Sequence, residues 1–337
     1  MSPQFVDFDA DGKLDIVAGT FDGSPHLARA DGTSWKQPEW ILDRDGARIA
    51  LNAFWNFDTK KWDDTKRCDP PGHSLKKGHM TSAIAFDVDG DGDLDLLLGD
   101  HTTGHIYVRP NDGSRTQPAF APKNAVLHAD GKPIDVPGTV ATMRLCDWDR
   151  DGHMDLLASS MGDAYSGERP GGGVFLFRNV GSGKSAEFGA PVTLIPVSDK
   201  GAIDNPTRPD SGLYMDAGDV DSDGDLDLVV GGYSHWTPKG PVLDQAQQAR
   251  TVAIRAEMAK LDAELKALNE QAQKASEGLP EAEAGKAYTD FYKGQKAARD
   301  SNRTQREPLR KELEQMVPSA QRRSFTWLYE NQTPAAK

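Results

Sequence analysis

The sequence predicts an all-β chain of small repeated sheets, with one α-helical insertion. Three observations predict it. An aspartate-rich loop recurs four times, each copy flanked by short strand-like stretches. Turn formers are frequent, with 33 Gly and 21 Pro in 337 residues. One segment near the C-terminal end changes abruptly to a helical composition.

The loop copies begin at Asp7, Asp87, Asp147 and Asp219 and share the pattern D-x-D-x-D-G-x-h-D-h-h-h-G, where h is apolar. The third copy ends in Ser159 instead of Gly. The copies start 80, 60 and 72 residues apart, so the connections vary while the unit is kept. Short alternating stretches precede the loops, such as Ala83-Ile84-Ala85-Phe86 and Met143-Arg144-Leu145-Cys146. An apolar run of about four residues follows, the length of a strand buried on both faces. A third strand is expected over His105–Asn111 and Val174–Asn179, and a fourth from Phe120 and from Phe188 onward. Repeated four-stranded units read as β-propeller blades, four of them recognisable, because one such sheet cannot bury both faces without neighbours. A β-sandwich is the alternative, but it has no need of the same loop four times.

Three carboxylates alternating over five residues repel one another and raise each other's pKa. A hard divalent cation removes that cost, and Ca²⁺ takes six to eight oxygen ligands. The candidate ligands at loop positions 1, 3, 5, 7 and 9 are Asp7, Asp9, Asp11, Lys13 and Asp15; Asp87, Asp89, Asp91, Asp93 and Asp95; Asp147, Asp149, Asp151, His153 and Asp155; and Asp219, Asp221, Asp223, Asp225 and Asp227. Position 7 would serve through its backbone carbonyl, and the glycine at position 6 permits the sharp turn. An EF-hand is excluded, because it needs a bidentate Glu at position 12, where Ala18, Leu98, Ala158 and Val230 stand. About four Ca²⁺ would carry the formal net charge from −13 to −5. The alternative is four solvated acidic turns without metal.

These loops resemble the FG-GAP, or VCBS-type, repeats of calcium-binding β-propellers, the family that includes the integrin α-subunit head. All four copies carry D-x-D-x-D-G-x-x-D, and Phe188-Gly189-Ala190-Pro191 fuses the family's two namesake elements. The resemblance implies Ca²⁺ on the sixteen loop aspartates and an extracellular, periplasmic or cell-surface location, with a leader peptide missing from the sequence. Integrin-like rings have seven blades, so the four here are expected to belong to a larger ring, a closed four-bladed ring being the alternative.

From about Gly240 to Pro318 glycine nearly vanishes. Ile254, Met258, Leu261, Leu265 and Leu268 step by 4, 3, 4 and 3, a heptad seam like that of a coiled coil. Gly278-Leu279-Pro280 breaks it, and a second stretch from about Glu281 to Met316 completes an antiparallel helical hairpin. Ser324–Asn331 matches the third-strand pattern of Val174–Asn179, which places the hairpin inside the fourth blade. The chain thus divides into 1–240 (blades), 241–318 (hairpin) and 319–337 (returning strand). The hairpin is either a surface decoration or an arm for self-association or a partner.

An acidic surface repels nucleic acid, and the longest aliphatic run, about four residues, cannot span a bilayer. Gly181-Ser182-Gly183-Lys184-Ser185 resembles the tail of a phosphate loop, but Arg178 stands at the first glycine's place and no helix follows. His101 and His105 lie on a strand and share no helical face; Cys146 reads as a buried thiol, pairing with Cys68 being the alternative. Asn302-x-Thr304 and Asn331-x-Thr333 match the glycosylation pattern. No nucleophile–base set is visible. The expected function is a non-catalytic calcium-binding scaffold for adhesion to protein or glycan ligands. The alternative is a polysaccharide lyase or hydrolase, walled by 55–79 and 160–172 with Trp55, Trp62 and Tyr165 as sugar-stacking rings.

Overall fold

The structure, a computed structural model, describes residues 3–51, 53–64, 80–162, 171–198 and 204–332. Cys68, Tyr165, Thr333 and most of the two expected wall segments lie outside them. The chain is mostly β, with several small antiparallel sheets and three helices. It divides into two compact units, Met1–Trp236 with Arg322–Lys337, and Thr237–Gln321.

Four sheets organise the first unit. Sheet 1 runs Gln4–Val6, Asp15–Gly19, Pro25–Ala28 and Glu39–Trp40. Sheet 2 runs Met80–Phe86, Asp95–Asp100, Ile106–Arg109 and Ala125–Val126. Sheet 3 runs Thr142–Cys146, Asp155–Ser159, Val174–Phe177 and Val192–Ile195. Sheet 4 has three strands among the described residues: Ser211–Gly218, Asp227–Trp236 and Gln321–Tyr329. The fourth strand of sheet 2 begins later than Phe120, which makes only a single bridge to Asn111. No closed barrel or ring is found among the described residues.

Successive sheets pack on one another, and strand periodicity explains how. Leu96 and Leu98 enter a core shared with Val17, Leu27 and Ala85. Leu97, pointing the other way, enters a second core with Ile84, Met143, Leu156 and Ala158. Leu157 likewise turns into a third core with Leu176, Leu213, Met215 and Val230. Strands Asp95–Asp100 and Asp155–Ser159 are therefore buried at every position. Each such leucine contributes about 1.5–3 kcal/mol of burial. Polar contacts join the sheets as well: the Gln4 side-chain amide donates to Ala85 O at 3.0 Å and accepts from Ala85 N at 2.6 Å.

The helical unit departs from the expected two-helix hairpin. It holds α1 (Gln245–Ser276), α2 (Glu281–Gly294) and α3 (Lys296–Met316), because the second stretch breaks at Gln295. Pro308 lies inside α3. Asp244 and Gln247 form a capping box that starts α1. Of the heptad seam, Ile254 and Leu261 are buried, while Met258, Leu265 and Leu268 are half-buried. No helix among the described residues is long and apolar enough to cross a membrane.

Candidate metal loops

Each aspartate-rich loop links the first two strands of a sheet, in one register throughout. The position-9 acid pairs with the residue just before the loop: Asp15 with Val6, Asp95 with Phe86, Asp155 with Cys146, Asp227 with Gly218. These four acids are buried. One oxygen of each accepts from the backbone N–H at position 2, from Phe8, Val88, Trp148 and Val220, at 2.9–3.3 Å. The other accepts from the backbone just past the third strand, from Ala30, Asn111, Asn179 and Asn331, at 2.7–3.0 Å. Position 9 thus brackets the loop to the third strand, and each oxygen keeps a lone pair beyond those bonds.

The remaining acids arrange the turn. Asp87 accepts from the N–H groups of Gly90 and Gly92, and Asp7 from those of Asp11 and Gly12. Asp11, Asp91, Asp151 and Asp223 each accept from the N–H two residues on, at 2.8–3.0 Å. The position-6 glycines have φ between 84° and 99°; a Cβ would meet nothing within 4 Å at Gly12, Gly92 and Gly152, and at Gly224 only the Arg150 guanidinium, in ordinary contact from 3.4 Å. Conformation therefore selects them, and space does not. Position 4 is also left-handed, and Ala10, Arg150 and Ser222 occupy it in three copies.

This backbone path brings carboxylate oxygens together. Asp7, Asp9 and Asp11 each place one within 4.8 Å of the others, as do Asp87, Asp89 and Asp91, and Asp147, Asp149 and Asp151. In the fourth loop the corresponding group is Asp219, Asp221 and Asp227. The position-9 acids of the first three loops stand outside these groups. Lys13 turns its ammonium onto Asp11 at 2.8 Å, and the side chains of Asp93, His153 and Asp225 are outside the groups as well.

The donor set fits a hard cation. It is all oxygen, and two oxygens of the grouped acids, Asp9 Oδ1 and Asp147 Oδ1, are buried without a hydrogen-bond partner. Charge balance differs between loops. Arg29 pairs with Asp9, and Arg178 with Asp149, each from the end of a third strand. Pro110 takes that place in the second loop. There burial pushes Asp93 up to about 6, with Asp91 and Asp95 adding to the rise. Burial also pushes Asp95 up to about 6 against its backbone bonds. In the fourth loop the N–H groups of Asn331 and Val220 hold Asp227 below the usual range.

The phosphate-loop-like segment has a structural role. Its Ser185 hydroxyl donates to Asp89 O, and the adjacent Ala186 N–H donates to Val88 O at 2.8 Å, so this turn of sheet 3 docks on the second loop. The turn of sheet 2 does the same on the first loop, where Arg115 donates to Asp7 O. Cys146 is a half-buried free thiol.

A buried polar node in sheet 1 went unread in the sequence. Asp22 accepts from Ser24 N at 3.1 Å and Trp40 Nε1 at 2.8 Å, and pairs with His26 and Arg48 at 3.0 Å each. Burial opposes its charge, but the bonds from His26, Thr20 and Trp40 outweigh that and hold the carboxyl well below the usual range. Arg48 lies over the rings of Trp40 and Phe54, at 4.3 and 4.5 Å. These residues are spread from Thr20 to Phe54 without a motif, so no local signal marks them.

Among known families, the one described as FG-GAP-like repeat matches residues 87–158, from the start of the second loop to the strand after the third. A search of curated proteins finds no match.

Proposed function

We propose that the chain is a calcium-stabilised, non-catalytic binding scaffold assembled from propeller-type repeats. The observation that carries this reading is the clustering of three carboxylates in each of four loops, at positions 1, 3 and 5 in the first three and at positions 1, 3 and 9 in the fourth. The match of residues 87–158 to an FG-GAP-like repeat supports the repeat-scaffold part of it. In each loop the acids at positions 1, 3 and 5, the position-7 carbonyl and the remaining lone pairs of position 9 would hold one Ca²⁺. A bound ion would neutralise the clustered acids and tie the turn to the strands on either side. The packing of each sheet on the next supports radial stacking as blades.

The scaffold works at a cell surface or in an extracellular or periplasmic space, where Ca²⁺ is plentiful enough to fill weak sites. It presents its loops to protein or glycan ligands. Isothermal titration of the EDTA-stripped chain with Ca²⁺ tests the metal assignment. About four ions should bind, the second loop filling first because no arginine sits on it. Absence of a Ca²⁺ binding heat, together with no metal by elemental analysis, would refute the assignment.

A further inference from the structure

One contact between sheets is made three times within the chain. The three apolar residues after the position-9 acid, at positions 10, 11 and 12, alternate between the two faces of a sheet. Positions 10 and 12 are buried against the preceding sheet in sheets 2, 3 and 4, as Leu96 and Leu98, Leu156 and Ala158, and Leu228 and Val230. Position 11 is buried against the following sheet in sheets 1, 2 and 3, as Val17, Leu97 and Leu157. Each contact therefore seats the position-11 face of one sheet on the position-10 and position-12 face of the next.

Among the described residues, sheet 1 has no preceding sheet and sheet 4 no following one, and no core cluster holds residues of both. Their outer faces still carry the residue types of the contact. Ile16 and Ala18 stand at positions 10 and 12 of sheet 1, and Val229 at position 11 of sheet 4, all three half-buried. Phe5, paired with Ile16, is 57% exposed, and the Trp35 ring rests against it at 5.8 Å. On sheet 4, Tyr329 packs against the inner core, so alternation turns Leu328, 38% exposed, to the same side as Val229. An antiparallel sheet whose face stays in water alternates apolar with polar residues, and polar side chains would stand at these positions.

We propose that these two faces cover each other between copies: the outer face of sheet 4 in one chain packs on the outer face of sheet 1 in a second copy. The repeat itself names the occupant, because a position-11 face meets a position-10 and position-12 face at every contact within the chain. The contact is head-to-tail, so two copies make it twice and close a ring of eight sheets, within the four to eight blades of propellers. This extends the repeat-scaffold reading but uses no loop carboxylate, so failure of the contact is separable from failure of the calcium assignment.

Sedimentation velocity of the full chain, over loading concentrations from about 1 to 100 µM, tests it. The chain should sediment as a reversible dimer. Ala18→Glu in the sheet 1 face and Val229→Glu in the sheet 4 face should each weaken dimerisation at least tenfold, because each buries an unpaired charge at the contact. An equimolar mixture of the two should associate at least tenfold more strongly than either alone. In the mixture the intact sheet 4 face of the first variant meets the intact sheet 1 face of the second, a recovery that only a head-to-tail contact gives. Val252→Glu, at a 67% exposed apolar position on α1, should dimerise as the parent does. Where a face variant departs from the parent's circular dichroism, Phe5→Glu or Leu328→Glu, at more exposed positions, takes its place. A monomer at every concentration, a mixture no stronger than its components, or loss of the dimer in Val252→Glu would overturn the contact. Species that grow beyond a dimer would overturn the two-copy ring.

Discussion

Asn331 donates its backbone N–H to Asp227 Oδ1 at 3.0 Å, across 104 residues of chain. Asn179 makes the same bond to Asp155 at 2.7 Å across only 24. The fourth sheet thus repeats the bracket of the third although the whole helical unit intervenes. The bracket is a property of the repeat, and the insertion leaves it intact.

Removing a bracketing acid should therefore cost more than removing a loop acid. Asp155→Ala strands the buried N–H groups of Trp148 and Asn179. Each unpaired donor costs about 1–3 kcal/mol, so a total of about 2–6 kcal/mol is expected. Asp151→Ala, exposed and bonded mainly to its own turn, should cost under about 1 kcal/mol. Urea denaturation with EDTA present, so that no ion contributes, checks the ranking. Equal losses would contradict it.

Glycine at position 6 is there for its backbone angle. Gly92→Ala meets no atom within 4 Å but must hold φ near 99°, and should cost about 1–3 kcal/mol. Gly183→Ala also meets nothing within 4 Å and carries no such angle, so it should lie within about 0.5 kcal/mol of the parent. Thermal melts of the two variants separate conformation from space.

Asp22 should act as a structural anion. Asp22→Asn leaves Arg48 without its carboxylate partner and should cost about 3 kcal/mol or more. Its folded pKa lies below the unfolded value, so its contribution is fully present above the unfolded pKa, about 3.9, and is lost as the pH falls through the folded one. The gap between parent and variant should be flat from pH 5 to 8 and narrow only below about pH 4. A gap that closes between pH 5 and 7 would contradict this role.

Cys146 should resist alkylation while the chain is folded. Burial pushes its thiol up to about 12, with Asp155, Asp216 and Asp147 adding to the rise. Iodoacetamide at pH 8 should label it slowly in the native state and at least tenfold faster in urea, read by peptide mass.

The loops were legible in the sequence because their chemistry is local: acids at fixed offsets, a glycine at the turn and an apolar run beyond. The late return of a strand was legible because Ser324–Asn331 repeats Val174–Asn179, asparagine included. The role of position 9 was only half legible. Asp15, Asp95, Asp155 and Asp227 read as ligands, but their backbone partners just past the third strand lie 15 to 104 residues away. The break at Gln295 was missed because neither Gly294 nor Gln295 ends a helix decisively, and composition is unchanged across it. The left-handed angles at Ala10, Arg150 and Ser222 carry no residue signature, since the turn's hydrogen bonds impose them.

The central claim is that the four loops are calcium cages, and differential scanning calorimetry tests it most directly. The EDTA-stripped chain should gain about 5 °C or more in melting temperature with 2 mM Ca²⁺, and less with 2 mM Mg²⁺, as expected when an ion binds only the folded form. A melting temperature that is the same in EDTA and in Ca²⁺ would contradict it.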